Sequence, residues 1–357
     1  MESATHQQSL RIVVAGAGAI GRRHIELVQA SKQCVLAAIV DPAPASVELA
    51  RTANVPHYHS LRDLFAESKP DGVILATPNQ LHVDNALECI DAGVPVLVEK
   101  PVAHSLEEGA RLLDAANDKH AKVLVGHHRA HSPILAKARE LIQQGILGKT
   151  VAVVGSAMFY KPDRYFEEAP WRRQLGAGPV LINMIHEIGN LRSLCGEISA
   201  VQAFASNATR GFPVEDTVAI TLQFASGALG TFLLSDTAAS AKSWEQTSQE
   251  NKQYTTYPDE DCYVVVGTNG SLSIPTMRLK SYSRDVEKSW FMPFDTDVAE
   301  VRRDDPLERQ LDHFCAVIRG EAEPLITVRD GLQNLRVVEA IAAAALSGST
   351  VLIEGNS

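Results

Sequence analysis

The sequence predicts an α/β domain built on a doubly wound parallel sheet, followed by an α+β domain with mostly antiparallel strands. Three observations carry this. Over the first 126 residues, short apolar runs without alternation are separated by helical stretches, the pattern of βαβ units whose sheet is covered on both faces. After Gly126 the runs lengthen and alternate apolar with polar residues, with hairpin signals between several of them, as antiparallel strands with one covered face require. The length of 357 residues fits two domains at roughly 150 residues each. The boundary is placed after Gly126, giving domains 1–126 and 127–357.

In the first domain the apolar runs are Leu10–Ala15, Cys34–Val40, Gly72–Ala76, Pro95–Val98 and Lys122–Val125. The helical patterns between them are Ile20–Ala30, Ser46–Ala53, His82–Asp91 and Leu106–Asn117. Crossovers of this kind are right-handed, and ligands of such sheets sit at the carboxyl ends of the strands. The first run leads straight into Gly16-Ala17-Gly18-Ala19-Ile20-Gly21, a G-x-G-x-x-G loop that opens a helix. Gly16 permits a tight turn, Gly18 lets the backbone approach a pyrophosphate, and Gly21 lets helix and strand pack closely. The helix that follows turns its free N–H groups toward the phosphates. Asp41 ends the second run, 20 residues after Gly21, the spacing of an acid that binds a ribose and repels a 2′-phosphate. The expected cofactor is therefore NAD rather than NADP, with Arg22 and Arg23 weighing the other way.

Two further strand ends carry chemistry. Thr77-Pro78-Asn79 follows Gly72–Ala76 and is expected to wall the nicotinamide end of the cofactor, with Asn79 as N-cap of the next helix. Glu99-Lys100-Pro101 follows Pro95–Val98. A lysine at the carboxyl end of a buried strand sits where the ligand sits, not on a solvated face.

The second domain opens with His127-His128-Arg129-Ala130-His131-Ser132-Pro133 and a helix from Ile134 to Gln144. The three histidines have no adjacent acidic or thiol partners, so no metal is expected. Strand patterns follow over Thr150–Tyr160, Ala200–Ser206, Asp216–Phe224, Ala228–Ser235, Cys262–Gly267, Ser271–Ile274 and Arg278–Ser283. Ser226-Gly227 and Thr268-Asn269-Gly270 read as hairpin turns. The polar stretch from Ala241 to Glu260 is expected to be a surface loop, and helices Leu307–Arg319 and Arg329–Leu346 finish the chain. A helix after Gly176-Ala177-Gly178-Pro179 carries Asn183, His186 and Glu187 at spacings of three and four, hence on one face. Tyr160, Trp171 and Arg172 lie in a segment that can border a pocket.

Composition narrows the function. Lys and Arg number 33 against 43 Asp and Glu, a net charge of −10, and such a chain repels nucleic-acid backbones. Five scattered cysteines, Cys34, Cys89, Cys195, Cys262 and Cys315, read as reduced thiols of a cytoplasmic protein. Met1–Ser9 is polar, without an apolar signal core, and no apolar run approaches the roughly 18 residues of a membrane span.

The glycine loop, Asp41, Thr77-Pro78-Asn79 with His82, and above all Glu99-Lys100-Pro101 resemble the Gfo/Idh/MocA oxidoreductases, which include glucose–fructose oxidoreductase and the inositol dehydrogenases. Order and spacing match throughout the first domain, and the layout matches nearly the whole chain. The resemblance implies a Rossmann domain followed by a domain on a large open, mostly antiparallel sheet, whose open face joins subunits into a homodimer or homotetramer. It implies NAD(P)-dependent oxidation of a hydroxyl on a sugar, inositol or related cyclic polyol. The cofactor would lie on Gly16, Gly18, Ala19, Ile20, Gly21, Asp41, Thr77, Pro78, Asn79, His82, Glu99 and Lys100. Substrate contacts would come from His127 or Arg129 and from the helix of His186, with Asn183, Tyr160, Trp171 and Arg172 beside it. In the family that helix presents an Asp-x-x-x-His pair; His186 falls at the histidine, and Ile182 stands at the aspartate position with Asn183 next to it.

On this reading NAD accepts the hydride. Histidine, whose free side chain titrates near 6.5, suits a proton acceptor near neutrality, so His186 takes the hydroxyl proton, and Lys100 stabilises the developing alkoxide. Two other readings compete: a glycoside hydrolase or lyase that uses held NAD for transient oxidation, and a non-catalytic NAD-binding sensor. Retained Lys100 and His186 argue against the sensor.

Overall fold

The structure is a computed structural model describing residues 9–174 and 176–354; the polar start of the chain, residues 1–8, lies outside the described residues. Two compact units emerge. One comprises the chain up to His128 together with Leu307–Leu335, the other Arg129–Pro306 together with the chain from Arg336.

In the first unit, strands β1 (Leu10–Ala15), β2 (Cys34–Val40), β3 (His57–Tyr58), β4 (Gly72–Leu75), β5 (Val96–Glu99) and β6 (Val123–Gly126) form one sheet in the order β3-β2-β1-β4-β5-β6. All neighbours are parallel. Helices α1 (Ala19–Ala30), α2 (Pro44–Ala53), α3 (Leu61–Glu67), α4 (His82–Asp91) and α5 (Leu106–Asp118) connect them. Side chains alternate across a strand, so β1 sends Val13 and Ala15 into one core and Ile12 and Val14 into the other. Both faces are therefore buried, which is why these strands read as unbroken apolar runs.

The two covers have different origins. Val83, Ala86 and Ile90 of α4 and Leu112 of α5 lie on the Val13 face. Ile25 and Val28 of α1 lie on the Ile12 face, together with Leu311, Phe314 and Cys315 of a late helix, Pro306–Arg319. Each fully buried Leu, Ile or Phe of this kind contributes roughly 1.5–3 kcal/mol. The sequence draws one boundary after Gly126, yet residues 307–335 pack with this unit. Their apolar period marks them as helices, but periodicity does not say which sheet a helix covers.

The second unit contains α6 (Pro133–Gln143), β7 (Thr150–Met158), α7 (Asp163–Glu167), α8 (Ile185–Cys195), β8 (Ile198–Ser206), β9 (Thr217–Phe224), β10 (Leu229–Ser235), α9 (Trp244–Thr247), β11 (Tyr263–Gly267), β12 (Gly270–Ile274), β13 (Arg278–Ser281), β14 (Asp295–Val298) and β15 (Val351–Leu352). Among the described residues its strands form one nine-stranded sheet in the order β14-β13-β12-β11-β7-β10-β9-β8-β15. Within it β7 and β10 pair in parallel; the other neighbours are antiparallel. One face buries Val153, Ile220, Leu222, Phe232 and Val265 against Ile134 and Leu135 of α6 and Ile188 and Leu191 of α8. The other leaves Val151, Val154, Phe204, Leu229 and Leu233 exposed. This one-sided burial is the source of the alternation along β9 and β10.

The stretch from Ala241 to Glu260 departs from expectation. It is not a surface loop through its length: Trp244 is 1% exposed and Glu250 4%, and Ser243, Thr247 and Ser248 are buried with them. The Trp244 ring lies 5.8 Å from that of Tyr263. The segment reads as polar because its polar groups are satisfied internally. Ser132 Oγ and Trp244 Nε1 donate to the Glu250 carboxylate, and Thr247 Oγ1 donates to the Ser243 carbonyl. The elements β3, α3, β14 and β15 are too short to show a hydrophobic period in the sequence.

Candidate active site

In the first unit the site is assembled at the carboxyl ends of the strands, beside the point where the strand order reverses between β1 and β4. Gly16 has φ +94°, and a Cβ there would lie 2.4 Å from the Ala76 carbonyl oxygen. A Cβ at Gly21 would lie 1.9 Å from the Gly16 oxygen. Both glycines are thus required by the protein's own packing. Gly18 differs: it is exposed and a Cβ there would meet nothing within 4 Å, so the protein's own packing does not require a glycine at this position. Ala19 and Ile20 are exposed beside it, and no side chain caps the α1 N-terminus, leaving N–H groups for an anion. Asp41 braces the loop by accepting from Ala17 N–H through Oδ2 and from Ala43 N–H through Oδ1, both at 2.7 Å. Arg22 Nε donates to the Ala17 carbonyl, and Arg23 pairs with Glu26.

Thr77 and Pro78 follow β4 after Ala76. Asn79 starts a 3-10 turn, Asn79–Leu81, and neither that turn nor α4 has a side-chain cap. The expected N-cap is therefore not made, because the extra turn separates Asn79 from α4. His82 is 2% exposed; its Nδ1 faces the Pro101 carbonyl and its Nε2 the Thr77 carbonyl, each at 2.8 Å. Burial pushes its pKa down against the pull of these carbonyls, so near neutrality the ring donates to one of them at a time. Glu99 is buried, with Oε1 2.7 Å from His24 Nε2 and Oε2 accepting the Lys100 N–H at 3.2 Å. Burial alone would raise its pKa; the hydrogen bond and charge of His24, with His128 and Lys100, hold it below the usual carboxylate value. Lys100 is half-buried. His127 is buried too, with Asn334 Nδ2 3.3 Å from its Nε2.

In the second unit the helix of His186 begins with a π turn, Val180–Met184, that the sequence does not announce. Such turns concentrate at functional sites, and the wider turn rotates its residues less per step than an α-helix. Asn183, Glu187 and their partners consequently diverge. Asn183 Oδ1 accepts from Lys161 Nζ at 2.8 Å. Glu187 instead turns inward, accepting from Arg129 Nη1 and the Tyr263 hydroxyl. His186 is 8% exposed. Gly178 leaves room for Glu215, whose Oε1 accepts the Val180 N–H at 3.1 Å.

Arg129 does not face open space: it is buried, and Nη2 lies 3.1 Å from Glu245 as well. Burial opposes its charge, but Glu187 and Glu245 raise its pKa further. A substrate contact from Arg129 thus competes with a committed ion-pair network. Tyr160 is exposed, with the Arg210 guanidinium 5.3 Å from its ring. Trp171 is exposed in the 3-10 turn Pro170–Arg173, and Arg172 sits 3.8 Å from the centre of the Tyr165 ring.

His24 and Lys161 are residues the sequence reading did not single out. His24 had a signal: it shares the apolar face of α1 with Gly21, Ile25 and Val28, and a histidine there needs a buried partner. Lys161, between Tyr160 and Pro162, had none.

A six-stranded parallel sheet with this glycine loop defines a dinucleotide-binding Rossmann protein. Residues 10–127 match the family described as "Oxidoreductase family, NAD-binding Rossmann fold", and residues 135–273 match the "GFO/IDH/MocA C-terminal domain". The chain belongs to the Gfo/Idh/MocA oxidoreductase family, whose cofactor is NAD. It is 26% identical over 97% of its length to the "rhizopine catabolism protein MocA" of Rhizobium meliloti, of which it covers 98%. It is 24% identical over 93% of its length to "inositol 2-dehydrogenase" of the same species (strain 1021), of which it covers 96%. Among solved structures it resembles the WlbA dehydrogenase of Bordetella pertussis in complex with NADH and UDP-GlcNAcA, with a TM-score of 0.77, 24% identity, and coverage of 98% of this chain and 100% of that one.

Proposed function

We propose that this protein oxidises a secondary hydroxyl of a sugar, an inositol or a related cyclic polyol, with Lys100 as electrostatic stabiliser and His186 as general acid/base. The observation that carries this reading is Glu99-Lys100 at the carboxyl end of β5, in the same sheet as the glycine loop. The relatives described as inositol 2-dehydrogenases support the substrate class. NAD, when bound, supplies the hydride acceptor. His186 takes the hydroxyl proton, and the Lys100 ammonium favours negative charge on the oxygen left behind.

Asp41 favours NAD over NADP. Two of the roughly four acceptor positions of a carboxylate are used by Ala17 and Ala43, so the remainder can accept ribose hydroxyls while the charge repels a 2′-phosphate. The exposed apolar face of the nine-stranded sheet is the surface through which copies would associate. Among the described residues, no helix is long and apolar enough to cross a membrane.

The test is NADH formation across a panel of inositols, aldoses, sugar acids and dihydrodiols. Turnover on a cyclic polyol or sugar is the expected result. Retention of NAD through purification, with glycoside cleavage and no net NADH, would instead select the hydrolase or lyase reading.

A further inference from the structure

The loop that carries Lys100 is held on both sides by buried histidines. On one side, His24 and Glu99 form a pair with side-chain exposures of 2% and 6%. The carboxylate is engaged through both oxygens, Oε1 by the His24 ring and Oε2 by the backbone N–H of Lys100 itself. Glu99 pairs across the sheet with Gly126, where a Cβ would lie 3.0 Å from Glu99 Cα and 3.1 Å from Oε1. The carboxylate therefore occupies space that only a glycine at 126 leaves open. On the other side, the buried His82 ring lies between the Pro101 and Thr77 carbonyls, 2.8 Å from each, and donates its one ring N–H to either the loop after β5 or the loop after β4. His24 lies in α1, three residues beyond the last glycine of the G-x-G-x-x-G loop, so these two rings contact the segments that follow β4 and β5 from α1 and α4.

Resting on the reading of Lys100 given above, we infer that His24 and His82 are positioning residues that clamp Lys100, His24 through the Glu99 carboxylate and His82 through the Pro101 carbonyl. Residue 99 cannot shift without breaking its buried bond to His24, nor residue 101 without breaking its bond to His82 when the ring proton is on Nδ1, and a buried group left unsatisfied is costly. Lys100 between them is thereby aimed. A displacement of the order of 1 Å at such a group is enough to slow a reaction by about a hundredfold, so this aim has a kinetic value separate from fold stability.

The test uses the full-length protein with His24→Leu and His82→Leu, and the milder His24→Gln and His82→Gln, which keep a donor. The first readout needs no substrate: the rate at which acetic anhydride acetylates Lys100, followed by peptide mass spectrometry. The leucine variants should change this rate about threefold or more and lower kcat about tenfold or more, with KM held within about twofold, and His24→Leu should keep NADH affinity within the same range; the glutamine variants should recover most of the labelling rate and kcat. If the leucine variants do not fold, Gly126→Ala, whose Cβ presses on Glu99, should change Lys100 labelling and lower kcat with it. An unchanged labelling rate in folded, NADH-binding variants overturns the inference. So does multiplication of the His24→Leu and Lys100→Ala effects in the double variant, because residues acting through one group are non-additive. Full turnover by Lys100→Ala would be a different failure, that of the catalytic reading, and the labelling result would still decide the clamp.

Discussion

Lys161 Nζ donates a 2.8 Å hydrogen bond to Asn183 Oδ1 in the π turn that leads into the His186 helix. The ammonium also lies 3.5 Å from Asp236 and 4.9 Å from the centre of the Tyr165 ring. This bond turns the Asn183 carbonyl toward Lys161 and leaves the amide N–H groups for another acceptor. Asn183→Ala should therefore raise KM roughly threefold to tenfold with kcat little changed, the size of one lost hydrogen bond of about 0.5–1.5 kcal/mol. Asn183→Asp should leave the pH profile of turnover nearly in place, because Lys161 faces the new charge. A clear upward move of the acid limb would show that position 183 acts on His186 instead.

Asp41→Ala should weaken NAD about tenfold or more and narrow the preference over NADP, since a charge-assisted hydrogen bond is worth about 1.5–3 kcal/mol. The glycine loop also loses its braces to Ala17 and Ala43, so both cofactors should bind more loosely, NAD by the larger factor. Calorimetric titration of both into wild type and variant reads this directly. A wild type that already prefers NADP would overturn the assignment of Asp41.

Lys100→Ala should lower kcat roughly a hundredfold or more, as loss of an electrostatic stabiliser does, with NADH affinity retained. His186→Ala should lose most activity and regain part of it at alkaline pH, where the alcohol ionises without a base. Full activity of His186→Ala across the pH range would remove this helix from the chemistry and return attention to Tyr160.

The glycine loop was legible because its packing is written in a short local motif. Gly16 makes the tight turn and Gly21 the close packing that their spacing implies, and the runs 10–15 and 34–40 match β1 and β2 residue for residue. What the sequence hid depends on distant partners. His24 and Glu99 are 75 residues apart, and Lys161 and Asn183 meet only through a π turn that no spacing rule forecasts. Arg129 looked available because its partners Glu187 and Glu245 stand 58 and 116 residues away. The Ala241–Glu260 stretch was misleading for a related reason: hydropathy counts polar groups and does not see that Ser132 and Trp244 satisfy Glu250.

The open sheet face makes its own prediction. Val154, Phe204 and Leu233 line one shallow groove with Thr221 and Thr231. An exposed apolar patch of this kind marks an interaction surface. Sedimentation should find wild type as a dimer or tetramer and Val154→Asp or Phe204→Glu shifted toward monomer, with NADH binding retained because neither residue is in the nucleotide-binding unit. A monomeric wild type would show that copies do not join through this face.

Glu250 should make stability fall with rising pH. Burial pushes its carboxyl from an ordinary 4.5 up to about 7, against hydrogen bonds from Ser132 and Trp244 that favour the charged form. Between those values the folded chain holds a proton that the unfolded chain has released. The stabilisation is complete below about pH 4.5 and is lost as pH rises through about 7, amounting to roughly 3 kcal/mol at full extent. Glu250→Gln cannot ionise and can still accept from Trp244 through its oxygen while its amide donates to Ser132 Oγ. The difference in unfolding free energy between variant and wild type, measured by chemical denaturation from about pH 5 to about pH 8, should therefore move in the variant's favour by roughly 2–3 kcal/mol. A difference that stays constant over that range would mean that the folded protein keeps Glu250 ionised throughout, with the Ser132 and Trp244 bonds outweighing its burial.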